Sequence, residues 1–260
     1  MIRPLLAVAA VAIVLTTTGC MNRNADITVA TPPPSVDLGA VPEQGGTGTG
    51  LQFLDGTSAV AEVALAARSA EWFSVEVRFQ QRYTPTEEVP SITLHNYTAT
   101  AEGTSSEFNA QLEVDGDPVQ LYLRDGVLLG YGDPAVLAGL GFATPENGPA
   151  CLAADQDVAR PLIALVVPDR MIQSLLSNPD NPVALVHTGR ITEVEDSASV
   201  LEFGVTAGNG VIGTMWVSAV GQPYPQRLVI ADATGDFLAE FSAWGDDGTL
   251  DEPDDSPSDC

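Results

Sequence analysis

Few residues of this 260-residue chain are equipped for chemistry. The side chains that most often ligate metals or act as nucleophile and base are Cys20, Cys151, Cys260, His95 and His187, and there are no other cysteines or histidines. All ten basic residues are arginines, so neither a Schiff-base lysine nor a phosphate-loop lysine is available. The sequence contains no G-x-S-x-G, H-E-x-x-H or C-x-x-C pattern and no glycine-rich phosphate loop. Serine and aspartate are plentiful, but no spacing gathers them with a histidine. Cys151 as a thiol nucleophile competes with its use in a disulfide. Asp246, Asp247, Asp251, Asp254 and Asp255 lack the alternating frame of a calcium loop and read as a solvated acidic tail. The expectation is a protein without catalytic residues, bound metal or cofactor.

Cys20 is the exception, because of what precedes it. Arg3 gives a short positive start, and Leu5 to Leu15 (LLAVAAVAIVL) is an unbroken apolar run. A run of about 11 residues is too short to cross a hydrocarbon core, which needs about 20. It suits the hydrophobic part of a signal peptide. Thr16 to Gly19 then lead into Cys20 and resemble a bacterial lipobox, with Thr17 where leucine is usual. The resemblance implies a diacylated Cys20 at the mature N-terminus and an extracytoplasmic, lipid-anchored location at the cell membrane. Cys151 and Cys260 then form an even pair in an exported domain, which is read as a possible disulfide.

Cleavage before Cys20 leaves nine arginines against 35 acidic residues, a net charge of −26. Such a surface repels phosphate backbones, which excludes nucleic acid as a partner. It also repels anionic headgroups, so membrane contact is expected through the acyl anchor and not through a basic patch.

The chain divides into a signal peptide (1–19), a lipidated N-terminus and tether (20–50), a folded domain (51–245) and an acidic tail (246–260). Three consecutive prolines and a Gly/Thr run leave the tether too little apolar surface to order itself. Its thirty residues span about 30 Å as a coil and about 100 Å extended. The domain opens with a helix over Ala59 to Ala70, capped by Thr57 or Ser58. The period then changes. Phe73, Val75, Val77 and Phe79 alternate with polar residues, a strand with one buried face. Further strands are expected over 92–100, 107–114, 119–123 and 127–131, with Asp115-Gly116 and Asp125-Gly126 as turns. Asp133-Pro134 opens a short helix, 141–160 reads as loop, and Pro168 opens a helix with Met171, Ile172, Leu175 and Leu176 on one face. Strands return at 190–195, 200–206, 211–218, 227–231 and 237–243. The tail is expected to be disordered up to any constraint at Cys260. This order suggests one large antiparallel sheet with helices gathered on one face.

One hairpin carries a resemblance. Gly213-Thr214-Met215-Trp216-Val217, then Gly221-Gln222-Pro223, then Arg227-Leu228-Val229-Ile230, ending in Phe241 and Trp244, is similar to a stretch of the LppX/LprG-type lipoproteins of actinobacteria. The resemblance implies an α+β fold: a large antiparallel half-open β-barrel, similar to the LolA-like carriers, with helices covering its concave face. It further implies a cavity for lipid or glycolipid acyl chains, and exchange of that cargo with an envelope transporter. The residues placed on such a wall are Val75, Val77, Phe79, Leu112, Val114, Leu121, Leu123, Met171, Leu175, Phe203 and Met215. Apolar stripes alone do not say whether lipid or side chains fill the space, so a structural or protein-interaction lipoprotein with a filled core stands as the alternative.

The lipobox reading has a direct test. Cys20→Ser is expected to leave an uncleaved, unacylated precursor and to move the domain out of the membrane fraction. Intact mass and fractionation check it, and unchanged mass with full membrane retention refutes it.

Overall fold

The computed structural model describes residues 48–83, 93–143, 149–176, 183–193, 199–208, 210–232, 235–246 and 248–251. Among the described residues, eleven strands form one open antiparallel sheet: β1 (Phe73–Tyr83), β2 (Thr93–Gly103), β3 (Phe108–Val114), β4 (Asp117–Arg124), β5 (Val127–Gly132), β6 (Ala150–Ala153), β7 (Val183–Glu193), β8 (Ser199–Ala207), β9 (Gly210–Ser218), β10 (Pro225–Asp232) and β11 (Gly235–Ser242). Their spatial order is β6-β5-β4-β3-β2-β1-β11-β10-β9-β8-β7. Two meanders, β1 to β6 and β7 to β11, are therefore joined where β1 pairs with β11. β6 and β7 are left at the edges, so the sheet curves without closing. The helices are α1 (Gly56–Ser69), α2 (Pro134–Gly139), α3 (Ala159–Val166) and α4 (Pro168–Leu176). This is the half-open α+β arrangement expected from the sequence. Among the described residues, no helix is long and apolar enough to cross a membrane.

Local chemistry sets the elements. Asp115 and Gly116 turn β3 into β4 with φ of 53° and 99°, and Asp125 and Gly126 turn β4 into β5 with 49° and 77°. Positive φ at both central residues suits the twist of a tight hairpin, and Asp-Gly supplies it at low cost. Helix α1 starts earlier than the sequence suggested. Its cap is Asp55, whose Oδ1 accepts the amides of Thr57 (3.2 Å) and Ser58 (3.0 Å). The expected caps, Thr57 and Ser58, are donors instead, because carboxylate oxygens accept several hydrogen bonds and satisfy the orphan amides better. Val60, Val63, Ala64 and Ala67 of α1 are buried at helical spacing. Gly56 opens the helix against β7, where a Cβ would lie 2.8 Å from the Leu185 carbonyl oxygen.

Other expectations need correction. Within 141–160, read as loop, Ala150–Ala153 forms β6, and Ala159 begins α3. Short sequences such as Ala-Cys-Leu-Ala carry little alternation, and only pairing with β5 makes them a strand. β7 begins at Val183, not Arg190, so His187 lies inside the strand. The strand is interrupted by a register shift between His187 and Ile191, which hid its first half from period-2 reading. The acidic tail is held as far as Asp251: its carbonyl accepts Asn109 Nδ2 at 3.0 Å. Gly48 and Thr49 also pair with Val220 and Ala219, so the domain's contacts begin within the expected tether.

The cap on α1 generates a pH-dependent prediction. Hydrogen bonds from Ser58 and Thr57 hold the Asp55 carboxyl well below its ordinary value of 3.8. A depressed carboxyl contributes stability that is present above about pH 4 and is lost as pH falls through the folded value. Asp55→Ala is therefore expected to lower stability at neutral pH, and its deficit to shrink as both proteins are acidified below pH 4. Denaturant melts over that range check it. A deficit independent of pH would show that the charge is not what caps α1.

Candidate binding face

The concave face of the sheet is one continuous apolar surface. Along one row, His187, Phe203, Met215, Leu228, Ala239, Val77, Ala99, Leu112 and Val119 are successive cross-strand partners from β7 to β4. All but His187 are at most 3% exposed. The next row outward is Val75, Ala101, Ala110 and Leu121, again buried. Period-2 alternation puts these side chains on one face. The alanines leave room for the helices to come close. Against this face lie Val60, Val63 and Ala67 of α1, Ile163 and Val166 of α3, and Met171, Ile172 and Leu176 of α4.

The structure brings ten of the eleven expected wall residues to this layer. Val75, Val77, Leu112, Leu121, Leu123, Phe203 and Met215 are buried on the concave face, and Met171 faces them from α4. Phe79 and Val114 are half-buried at one end. Leu175 belongs to α4, but its side chain lies outside the described residues. At its centre the described layer is closed packing, filled from both sides.

Packing loosens at the end where β1 passes Phe79. There Phe79 stacks on Tyr97 with ring centroids 5.7 Å apart and leans on Phe237 at 6.1 Å. Phe79, Tyr97 and Val114 are only half-buried, one register step beyond the fully covered Val77, Ala99 and Leu112. Just past Tyr97, His95 Nδ1 meets Asp115 Oδ2 at 2.5 Å. A His–Asp pair orients the imidazole in many hydrolases. Here the carboxylate serves the hairpin: its other oxygen accepts the Asn96 amide at 2.8 Å, and the Asp115 amide donates to the Asn96 carbonyl. That amide bond, aided by His95, holds the Asp115 carboxyl below its ordinary value.

Two polar groups within the apolar layer were not legible in the sequence. Asp169, in the first turn of α4, is fully buried. Its Oδ1 accepts Ser105 Oγ at 3.3 Å, while Oδ2 has no hydrogen-bond partner among the described residues and lies 3.7 Å from Arg170 Nε. A Pro-Asp start reads as a solvated helix N-terminus, and nothing local signals that the β2–β3 turn covers it. His187 stands at the edge of the concave row against Phe203, ring centroids 5.3 Å apart, with its Nε2 buried and unpartnered among the described residues. Among the described residues no cluster of three ligating side chains could hold a metal. Cys20 and Cys260 lie outside the described residues, and Cys151 is disulfide-bonded.

No protein-family model matches the sequence, and no curated protein matches it. Solved structures to which the chain is similar include two mycobacterial lipoproteins. The lipoprotein LppX of Mycobacterium tuberculosis shares 15% identity with a TM-score of 0.44, covering 75% of this chain and 97% of its own. LprF of Mycobacterium bovis shares 10% identity with a TM-score of 0.42, covering 76% and 96%.

His187 yields the second pH prediction. Burial disfavours the imidazolium and pulls its pKa below the usual 6.5. Below pH 6.5 the unfolded chain therefore binds a proton that the native chain refuses, and stability falls as pH drops through that value. His187→Gln is expected to flatten stability between pH 7 and the folded pKa. An unchanged slope would assign the pH dependence elsewhere.

Proposed function

We propose that this chain is an extracytoplasmic lipoprotein, tethered by an acylated Cys20, that shields lipid or glycolipid acyl chains against its concave face and carries them through the envelope. One observation carries the reading: the apolar face continues past the point where its cover is complete. Val77 is 1% exposed and Ala239 is fully covered, yet one register step further Phe79 and Tyr97 are half open beside Phe237. An aromatic, partly wetted end of an otherwise dry layer is where an acyl chain would first find apolar contact.

Uptake in this scheme is partition and uses no covalent step. Burying one methylene is worth about 0.8 kcal/mol, so a twelve-carbon stretch supplies on the order of 10 kcal/mol before ordering costs. The cargo makes room by displacing α3 and α4, which are eight and nine residues long and meet at a proline corner. Release goes to an envelope transporter or an acceptor membrane. The high negative charge keeps the domain off anionic headgroups, and the tether sets its working distance. The closed packing at the centre of the layer favours a second reading, a filled structural module that binds no lipid.

Native mass spectrometry and solvent extraction of protein purified from membranes separate the two. Copurifying acyl lipid is expected, and Phe79→Ser is expected to reduce lipid per protein, compared at a temperature where the melting curves show both proteins folded, since Phe79 also packs on Tyr97 and Phe237 and its loss lowers the melting temperature. Lipid-free parent protein that takes up none from a membrane extract would leave the filled module.

A further inference from the structure

We propose that α3 and α4 form a lid that opens as one unit, and that the buried carboxylate of Asp169 sets how readily it opens. Its use as a gate for acyl cargo rests on the carrier reading above, whereas the motion itself needs no lipid. The helices differ in how they are fastened. α1 is capped by Asp55, and α2 by Asp133, whose Oδ1 accepts the amides of Ala135 and Val136. α3 starts after Val158 with no side-chain cap, so no capping side chain ties its first amides. α3 packs on β1 and β2, and α4 packs on α1 and α3. Lifting the pair uncovers β1 and β2, which carry Val77, Ala99 and, at the open end, Phe79 and Tyr97.

The corner between the two helices holds the carboxylate. Val166, Val167, Pro168 and Asp169 are consecutive buried residues, and Asp169 is 0% exposed. In water the two oxygens of a carboxylate accept about four hydrogen bonds. In the closed corner Oδ1 receives one, from Ser105 Oγ at 3.3 Å, and Oδ2 receives none among the described residues. Arg170 does not make up the difference: its Nε is 3.7 Å from Oδ2, and its side chain is half-exposed. The positive end of the α4 dipole favours a carboxylate in this turn, which makes the closed corner tolerable. Desolvation works the other way, because a buried carboxylate with incomplete hydrogen bonding is costly.

Lifting the corner returns water to both oxygens while the sheet stays intact, so opening the lid alone relieves this cost. Ser105 supplies the opposing pull. Its turn is built by Thr104, whose amide donates to the Glu107 carbonyl at 2.7 Å. Thr104 Oγ1 also accepts the amides of Ser106 (3.3 Å) and Glu107 (3.0 Å). Ser105 takes no part in those bonds, and the turn holds its hydroxyl out to α4. Closing the lid thus regains one hydrogen bond and gives up the hydration of a whole carboxylate. That balance puts the opening of α3 and α4 below global unfolding in free energy.

Hydrogen exchange of the mature, lipid-free protein, read by mass spectrometry, tests the lid. Residues 159–176 are expected to exchange faster than 200–217 in β8 and β9. Asp169→Asn keeps the shape of the side chain and can still accept from Ser105, but it removes the charge whose hydration drives opening. Exchange at 159–176 should then slow by about tenfold. Ser105→Ala leaves the bonds of its turn in place and should speed exchange at 159–176 by about fivefold. Exchange at 200–217 should stay the same in both variants. Faster or unchanged exchange in Asp169→Asn would make the carboxylate a fastening and overturn the lid. So would exchange at 159–176 no faster than at 200–217 in the parent. The carrier reading has its own readout, uptake of acyl lipid from a membrane extract, which Asp169→Asn should slow. The expected exchange pattern in a parent that takes up no lipid would keep the lid and remove the cargo.

Discussion

An open sheet with one wholly apolar face cannot stand in water, and this constraint organises the molecule. The row from Phe203 to Val119 offers eight consecutive side chains at most 3% exposed, and something must keep water from them. Each large one is worth about 1.5–3 kcal/mol when covered. The cover is α1, fastened to β7 through Gly56, with α3 and α4 beside it. Under the proposed carrier function an acyl cargo would draw on the same surface, so helix and cargo would compete for it. Such a carrier would need a cover weak enough to move, and short helices meeting at Pro168 meet that condition better than one long helix would.

The parts of this fold that the sequence revealed were those governed by local rules. Alternation from Phe73 to Phe79 placed β1 and its inner face, and two Asp-Gly pairs placed the first hairpins. What stayed hidden depended on distant partners. β6 is a strand because β5 lies beside it, and Asp169 is buried because Ser105 lies across it. α3 runs through Arg160-Pro161 and the continuous apolar stretch from Leu162 to Val167, where neither helical nor strand period stands out. The expected wall residues were identified by face alone. Alternation tells inside from outside, and it is silent on what fills the inside.

The outer face follows different physics. Glu76 and Glu240 sit directly opposite each other on β1 and β11, flanking an open depression of about 230 Å³ lined also by Ser74, Thr100 and Ser242. Their repulsion is relieved by Arg78 on Glu76 and Arg227 on Glu240, and Arg227 also lies over the Trp216 ring, 5.5 Å from its centroid. Exposed pairs of this kind are worth about 0–1 kcal/mol each, so they tidy the surface without holding the fold.

The sheet ends in β6 and β7, and each edge is blunted; Ala143 bridges to Cys151 of β6. β6 is four residues long, too short to template a neighbour. β7 loses register between His187 and Ile191, with Gly189 at φ 78°, so the ladder a second sheet would extend is broken midway. Under the proposed acyl anchoring the matter would be acute, since tethering would raise the local density of identical copies and align them. An unbroken edge would invite one domain to add to the next until the layer stiffened into fibres. A broken edge would let anchored copies crowd a bilayer without adding to one another strand by strand.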